Sequence, residues 1–380
     1  MSKLVDIGDY RRAARRALPR ILYDYVEGGS QAETTLRRNH AGFDDWWLRS
    51  RVLRQNADVS IETEVLGTRI ALPVMIAPTG GSSLLWPRGE EEVARAAHDK
   101  RTIMSVSCCS ILTMEEIAAA APGPKWLQIF LFSDRGLTTE FLDRAKAAGY
   151  TGITVTVDAF VGPIRWRDLR NGFSLTQKLT PKVLLDGAMH PSWVWRMKGQ
   201  PRPTIRNFAK RTGNDLSDLV TFIGSFQSLS TGWDELQWLR SRWDGPLIVK
   251  GILHPDDAKE AVRCGADAIQ VSNHGGRQLD GSLAAIDALP EIAEAIQGQV
   301  ELYLDGGITR GTDVVKAIAL GADACLIGRS HLWGLATAGR AGVGAVLDIL
   351  AAEIKNALES GGWKSLAELN RDSVRQLGAG

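Results

Sequence analysis

The stretch "ELYLDGGITRGTDVVKAIALGADACLIGRS" (residues 301–330) contains one complete strand–helix–strand unit. Two short apolar runs flank a helical pattern, and a glycine-rich turn follows each run. Nearly continuous apolar strands that alternate with helices are typical of a parallel sheet covered on both faces. This unit therefore predicts an α/β protein built on a parallel sheet.

The same alternation recurs after about residue 70 and gives eight candidate strands. They cover residues 73–78, 102–107, 125–131, 152–158, 246–251, 268–273, 301–307 and 324–328. Eight is the number of strands at which a (β/α)₈ TIM barrel closes. A doubly wound open sheet is the alternative, but the chain has no early G-x-G-x-x-G motif. The strand count therefore favours the barrel.

Two segments fall outside the eight units. We interpret residues 1–380 as one barrel domain, with an N-terminal helical extension over 1–70, the barrel over 71–375 and an insertion over 159–232 after the fourth strand. Loops as long as this insertion usually serve as lids or binding elements. Residues 178–211 within it hold eight Lys and Arg but one acid, Asp186, together with Trp193 and Trp195. This composition suits peripheral contact with an anionic membrane surface. A solvated lid packed on its own barrel is the alternative.

The overall composition is that of a soluble globular protein. The 380 residues are 44% hydrophobic and 23% charged, and the net charge of +1 argues against a dedicated nucleic-acid binder. The four cysteines have no metal-ligand spacing, so we expect reduced thiols and no metal site. Because the N-terminus lacks an apolar signal core and no apolar run approaches ~18 residues, we expect a cytoplasmic protein, with peripheral attachment to the inner face of the membrane as the alternative.

Polar residues mark the end of nearly every predicted strand. Barrel enzymes place their active sites at the C-terminal ends of the strands, so these residues are candidate site residues. Thr156 and Asp158 lie two residues apart, as do Ser272 and His274, so each pair shares one face of its strand. The glycine-rich turns after strands seven and eight are each followed by a helix start, which is typical of a phosphate site. Arg329 can add a two-pronged hydrogen bond there.

Several motifs together resemble the family of FMN-dependent 2-hydroxy acid oxidases and dehydrogenases. These are "SNHGGRQLDG", "VKG", "LDGGITRGTDVVKAIALGADA", "IGR", "LPRILYDYVEGG" and "MIAPTGG". The family includes glycolate oxidase, respiratory L-lactate dehydrogenase and mandelate dehydrogenase, and the resemblance spans about residues 4–375. It is closest to the bacterial dehydrogenase branch, since Gly80 stands where oxidases of the family usually carry alanine. The resemblance implies an FMN cofactor, an L-2-hydroxy acid substrate, a quinone or cytochrome acceptor and a homotetramer.

The resemblance also implies roles for individual residues. His274 would be the base, Asp158 would stabilise the imidazolium, and Lys250 would lie near the flavin N1–C2 carbonyl. The expected substrate contacts are Tyr25, Phe130, Arg165 and Arg277. The expected cofactor contacts are Ala77, Pro78, Thr79, Ser107, Gln128, Thr156, Lys250, Ser272, Asp305, Gly306, Gly307, Arg310, Gly328 and Arg329.

The chain departs from the family pattern at three places. Phe130 stands where the family usually has tyrosine, which indicates either a changed substrate or neutral drift. Thr309 replaces an arginine, and Arg310 beside it is a candidate substitute in the phosphate site. "DAFVGPIRW" replaces the usual Asp-Thr-Pro run at the start of the insertion.

The sequence leaves other functions open. One alternative keeps the oxidation of a 2-hydroxy acid but passes the electrons to oxygen, which makes the enzyme an oxidase that forms hydrogen peroxide. A second class is an FMN isomerase, or a tailoring enzyme that acts on a larger biosynthetic intermediate. A third class is a phosphate-binding barrel without catalysis.

Overall fold

The structure is a computed structural model that describes residues 4–173, 181–201, 203–209 and 231–377. The N-terminal extension begins with three helices, continues through one 3₁₀ turn (Gly42–Asp45) and one short strand, and ends in a hairpin. These elements are α1 (Ile7–Ala17), α2 (Arg20–Glu27), α3 (Thr34–Ala41), β1 (Trp46–Leu48), β2 (Thr63–Val65) and β3 (Thr68–Ile70).

Eight parallel strands follow and close into a barrel in chain order. They are β4 (Val74–Ile76), β5 (Met104–Ser107), β6 (Lys125–Phe130), β7 (Gly152–Thr156), β8 (Leu247–Ile252), β9 (Ala268–Val271), β10 (Glu301–Asp305) and β11 (Ala324–Ile327). The barrel closes because Leu326 in the last strand pairs with Met75 in the first. The prediction of a (β/α)₈ barrel is therefore confirmed, with each strand inside or within one residue of its predicted range.

Helices surround the barrel, and a short C-terminal strand, β12 (Val374–Gln376), pairs with β1. The helices are α4 (Gly89–Asp99), α5 (Met114–Ala120), α6 (Arg135–Ala147), α7 (Trp166–Asn171), α8 (Pro181–Ala188), α9 (Pro191–Met197), α10 (Trp233–Arg240), α11 (Pro255–Arg263), α12 (Ala285–Ile296), α13 (Gly311–Ala319) and α14 (Arg329–Gly361). Their start signals are local. Thr113 and Glu116 form a capping box at α5, and His254 caps α11 just before Pro255.

The hairpin β2–β3 plugs the N-terminal end of the barrel. Val65 and Ile70 are almost fully buried and share a cluster with Met75 and Tyr303 from the barrel interior. The amide of Leu66 also donates a hydrogen bond of 2.8 Å to the Glu301 carboxylate. Since this end is filled, a ligand reaches the barrel from the opposite end, where the strands finish.

The described part of the insertion packs on both the N-terminal extension and the barrel. The Asp186 carboxylate in α8 accepts hydrogen bonds from the amides of Arg20 and Ile21, at 3.1 and 3.3 Å, and so caps α2. The Trp193 indole in α9 donates to the carbonyl of Leu84 at 3.1 Å. Much of the basic segment 178–211 is described, but residues 178–180, 202, 210 and 211 lie outside the described residues.

Within the described residues, one helix, α14, has the length and apolar composition that could cross a membrane. Half of its most apolar window is buried, and it packs against α1, α4 and α13. Non-helical backbone at Ala338 and Gly339 also breaks it. These contacts make α14 an integral helix of the barrel.

Candidate active site

A cavity of about 300 Å³ opens at the C-terminal ends of the barrel strands. This volume is at the lower end of the range for small-molecule sites. The predicted catalytic and substrate residues that line it are Tyr25, Phe130, Arg165, Lys250, His274 and Arg277. The predicted cofactor residues that line it, besides Lys250, are Ala77, Pro78, Thr79, Asp305, Gly306, Gly307, Gly328 and Arg329.

His274 and Asp158 form a hydrogen-bonded pair at this rim. The Nδ1 atom of His274 lies 3.1 Å from Oδ1 and 3.3 Å from Oδ2 of Asp158. Burial alone raises the pKa of Asp158, but the neighbouring His274 and Lys250 side chains, including the hydrogen bond from His274, more than offset it, so the pKa is lowered. The ionised carboxylate favours the tautomer that carries its proton on Nδ1. Nε2 is then left as a proton acceptor.

The backbone turns sharply at His274. Residues 274, 275 and 276 have φ values of 58°, 66° and 73°, in the left-handed region that strains a non-glycine residue. A Cβ at Gly275 would lie 2.7 Å from the Arg329 guanidinium, and one at Gly276 would lie 2.6 Å from the backbone of Leu36. The two glycines therefore allow this turn, which brings Arg277 to the same cavity as His274.

Two half-buried arginines bring positive charge to the cavity. Arg277 donates to the carbonyls of Tyr25 and Gly28, both at 2.8 Å, and Arg329 donates to the carbonyls of Val26, Gly275 and Gly28 at 2.9 to 3.1 Å. Burial lowers the pKa of Arg277 to about 10 and that of Arg329 to about 9. Both guanidiniums keep their protons at neutral pH. Their charge is costly to bury, so an anionic ligand would stabilise it.

Tyr25 stands between cations and an aromatic ring. The guanidinium carbons of Arg277 and Arg165 lie 5.1 and 5.5 Å from its ring centroid, and Phe173 stacks on the ring at 4.3 Å. Arg165 also pairs with Asp168 at 2.9 Å. The insertion thus supplies both Arg165, which the sequence predicted as a site residue, and Phe173, which it did not.

Lys250 is held at the cavity by a buried polar chain. Its Nζ donates to Ser272 Oγ at 3.0 Å and lies 3.6 Å from the carboxylate of Asp305. Ser272 in turn donates to Asp305 at 2.7 Å, and so does the amide of Gln270. The side-chain oxygen of Gln270, Oε1, is buried and has no hydrogen-bond partner among the described residues.

Three other predicted cofactor residues hydrogen-bond with one another. Ser107 donates to the Gln128 side chain at 3.1 Å, and Gln128 donates to Thr156 at 3.0 Å. All three are buried, and among the described residues their side chains are outside the set that lines the cavity. The structure therefore brings them together at the ends of β5, β6 and β7, behind the cavity wall.

Two histidines contact the cavity residues although the strand-end pattern does not single them out. His331 Nδ1 lies 3.0 Å from the carbonyl of Ile327, so its Nε2 accepts from the Thr79 hydroxyl at 3.2 Å. Burial lowers the pKa of His331 to about 4, which keeps the ring neutral. His40 lines the cavity and lies 3.0 Å from the carbonyl of Gly307. Both lie on helices, where no strand-end signal exists.

The N-terminus of α14 faces the cavity as an anion site. Gly328, Arg329 and Ser330 line the cavity, and no described side chain caps this helix end. Free amides and a positive helix end favour a phosphate. Thr309 also lines this region, whereas the side chain of Arg310 is 66% exposed and pairs with Asp44 at 3.7 Å. Arg310 therefore points away from the cavity, unlike the arrangement predicted from the sequence.

Phe130 gives the cavity an apolar wall. It lies at the end of β6, and its ring meets Phe132 edge to face, with centroids 6.4 Å apart.

Among the described residues, no group of three or more His, Cys, Asp or Glu side chains is arranged to hold a metal ion.

Comparison with known proteins identifies close relatives. Residues 14–376 match the protein family described as FMN-dependent dehydrogenase. An L-lactate dehydrogenase of Vibrio cholerae is 44% identical over 370 residues, which cover 96% of this chain and 97% of that protein. An L-lactate dehydrogenase of Pseudomonas aeruginosa is 43% identical over 376 residues, or 98% of each chain.

A solved structure has nearly the same backbone. The monotopic membrane protein (S)-mandelate dehydrogenase superposes with a TM-score of 0.96 at 34% sequence identity, covering 99% of this chain and 100% of that one. The barrel, the helices around it and the described part of the insertion therefore have counterparts in a protein of known structure.

Proposed function

The chain belongs to the FMN-dependent dehydrogenase family, so FMN is its cofactor, and on this premise we propose that it oxidises an L-2-hydroxy acid to the 2-oxo acid. We propose further that the electrons pass to a quinone or cytochrome rather than to oxygen. The observation that carries the proposal is the His274–Asp158 pair in one cavity with Arg277.

The residues of the cavity fit FMN. The uncapped N-terminus of α14 and Arg329 suit a phosphate. Lys250 supplies a buried cation beside the Asp305 carboxylate, which also accepts from the side chain of Gln270. The residues that would hold FMN are Ala77, Pro78, Thr79, Lys250, Asp305, Gly306, Gly307, Gly328 and Arg329, with Ser107, Gln128, Thr156 and Ser272 behind them. When bound, FMN supplies the acceptor for the two electrons that leave the substrate.

The remaining cavity residues suit a 2-hydroxy acid. Arg277 and Arg165, at 5.1 and 5.5 Å from the Tyr25 ring centroid, bind the substrate carboxylate, since guanidinium groups match it with paired hydrogen bonds. His274 takes a proton from the substrate's 2-carbon or its hydroxyl, and Asp158 stabilises the imidazolium that results. With that proton on His274, and with the second hydrogen and the two electrons leaving to the oxidant that FMN would supply, the substrate becomes the 2-oxo acid.

Anaerobic addition of a panel of L-2-hydroxy acids to the purified yellow holoenzyme tests this function. We expect at least one of them to bleach the oxidised flavin band and its D-enantiomer to leave the band unchanged. A protein that no 2-hydroxy acid bleaches would contradict the proposal. Oxygen uptake and peroxide, measured beside quinone reduction, then separate a dehydrogenase from an oxidase.

We also propose that the insertion contacts the cytoplasmic face of a membrane, and that the enzyme is a homotetramer. Support for the membrane contact comes from α8, α9 and the turn between them, which expose Leu184, Leu185, Met189, Val194 and Trp195 on a predominantly basic segment. The related mandelate dehydrogenase is a monotopic membrane protein. Cosedimentation with anionic vesicles tests the contact.

In that assay, we expect Leu185→Ser with Trp195→Ser to release the protein from the vesicles. Leu53→Ser is the matched control, because Leu53 is 97% exposed but lies in the N-terminal extension. Equal binding of all three proteins would argue against a role of the insertion. The mass of the detergent-solubilised protein tests the tetramer.

A further inference from the structure

Resting on the proposed function, we propose that the enzyme prefers 2-hydroxy acids with an aryl or long aliphatic substituent over lactate and glycolate. Phe130, Ala159 and Pro163 form the wall that contacts this substituent, and we call them the substituent wall. All three line the cavity.

The substituent wall lies beside the reacting groups. Phe130 is in register with Thr156 on the neighbouring strand, and Thr156 is in register with Lys250 on the next one. Ala159 directly follows Asp158, whose carboxylate contacts His274 at 3.1 Å. A substrate held by Arg277 and His274 therefore has its substituent close to this part of the rim.

The substituent wall is apolar. Among the described residues, those from the end of β6 and from the loop after β7 that line the cavity are Phe130, Ala159, Pro163 and Arg165. Only Arg165 is polar, and it is engaged by Asp168 and the Tyr25 ring. The wall thus has no hydroxyl or amide side chain to bind a polar substituent. Only the carbon atoms of a substrate's substituent gain favourable contact with the wall, and the methyl group of lactate offers few of them.

The wall is also fixed in place. Phe132 lies behind Phe130 and packs against Phe141 and Phe208, at 5.6 and 6.1 Å between ring centroids. The loop that carries Ala159 and Pro163 is tied to the N-terminal extension, because the carbonyl of Ile164 accepts from the Gln31 amide at 2.8 Å and the Ser30 hydroxyl at 3.2 Å. A preformed apolar surface binds a large substituent without first having to be ordered.

Stopped-flow reduction of the holoenzyme without oxygen tests the preference. The probes are L-lactate, L-mandelate, L-3-phenyllactate and L-2-hydroxyoctanoate, compared by the second-order rate of flavin reduction. We expect the fastest of the three larger acids to exceed lactate by at least tenfold. If lactate is equal or faster, the substrate preference is wrong while the proposed function stands. If none of the acids reduces the flavin, the proposed function itself fails.

Two variants assign the preference to the wall. Phe130→Tyr and Ala159→Ser each add a hydroxyl that loses water without a new partner when a large apolar substituent covers it. We expect each variant to lower the ratio of large-acid to lactate rates by at least threefold. Ile164→Ser is the control, since this side chain is 54% exposed and lies outside the cavity lining in the described structure. Unchanged ratios in both wall variants, with FMN bound, would overturn the assignment.

Discussion

His274 Nδ1 lies 3.1 Å from Asp158 Oδ1, although the two residues are 116 positions apart in the chain. The contact joins the rim after β7 to the rim after β9. The strand between these two rims, β8, packs directly against Asp158. A Cβ at Gly251 in β8 would lie 2.7 Å from the Cβ of Asp158, so only a glycine leaves room for the carboxylate to approach His274. Three adjacent strand ends therefore position one proton-accepting imidazole.

We expect Asp158→Asn to slow flavin reduction by about 100-fold. The amide removes the negative charge that stabilises the imidazolium, while the size of the side chain is kept. Substrate affinity should change by less than about threefold, because Asp158 contacts His274 rather than Arg277 and Arg165, the carboxylate clamp. Stopped-flow kinetics separate the two constants, and a variant that weakens binding but keeps the reduction rate would contradict this role.

The carboxylate clamp gives a second prediction, concerning KM. Arg277→Lys keeps a positive charge but loses the planar group that donates to Tyr25 and Gly28. We expect KM for the hydroxy acid to rise by about 100-fold, since each lost charged hydrogen bond costs about 1.5–3 kcal/mol. Arg310→Lys is the matched control, because Arg310 is exposed and should leave KM unchanged. Similar KM values for both variants would rule out the clamp.

The phosphate site predicts that the apoprotein binds FMN far more tightly than riboflavin. The phosphate would pair with Arg329 and the amides at the start of α14, so we expect a difference of about 1000-fold. Arg329→Met should weaken FMN by about 100-fold and change riboflavin little. Titration of apoprotein by flavin fluorescence measures both ligands. Equal losses for FMN and riboflavin would indicate that Arg329 supports the fold rather than the phosphate.

His331 predicts a dependence of stability on pH. Its pKa is lowered by burial from 6.5 to about 4, so between these values the unfolded chain binds a proton that the folded protein excludes. This contribution is therefore fully present above about pH 6.5 and is lost as the pH falls toward 4, with a total of about 3 kcal/mol. As the pH falls through this window, the free energy of unfolding of His331→Gln should decrease less than that of the wild type. Urea titrations from pH 4.5 to 7 measure both proteins, and parallel curves would contradict the assignment.

The barrel was predictable because each strand carries its own signal. A run such as "GITVTVD" is apolar, short and bounded by turns. Eight such runs leave few alternatives to a sheet that closes into a barrel. The strand-end residues were predictable for the same reason, since Lys250 and His274 interrupt or end apolar runs. The family resemblance added their roles, which remain predictions.

The contacts that the sequence did not predict depend on distant parts of the chain. Arg310 follows the glycine turn as a phosphate ligand would, but the start of α13 directs its side chain outward to Asp44. His40 lines the cavity and His331 contacts the cavity residue Thr79, and both histidines lie on helices. Asp186 is one acid in a basic segment, and its use as the cap of α2, 165 residues away, depends on how the insertion packs.

The assignment of His274 as the base for a 2-hydroxy acid is tested by the reduction of FMN by substrate, without oxygen, in His274→Gln. We predict that the variant binds FMN with an unchanged absorption spectrum and is reduced at least about 1000-fold more slowly than the wild type. A His274→Gln protein that is reduced at the wild-type rate would contradict the account.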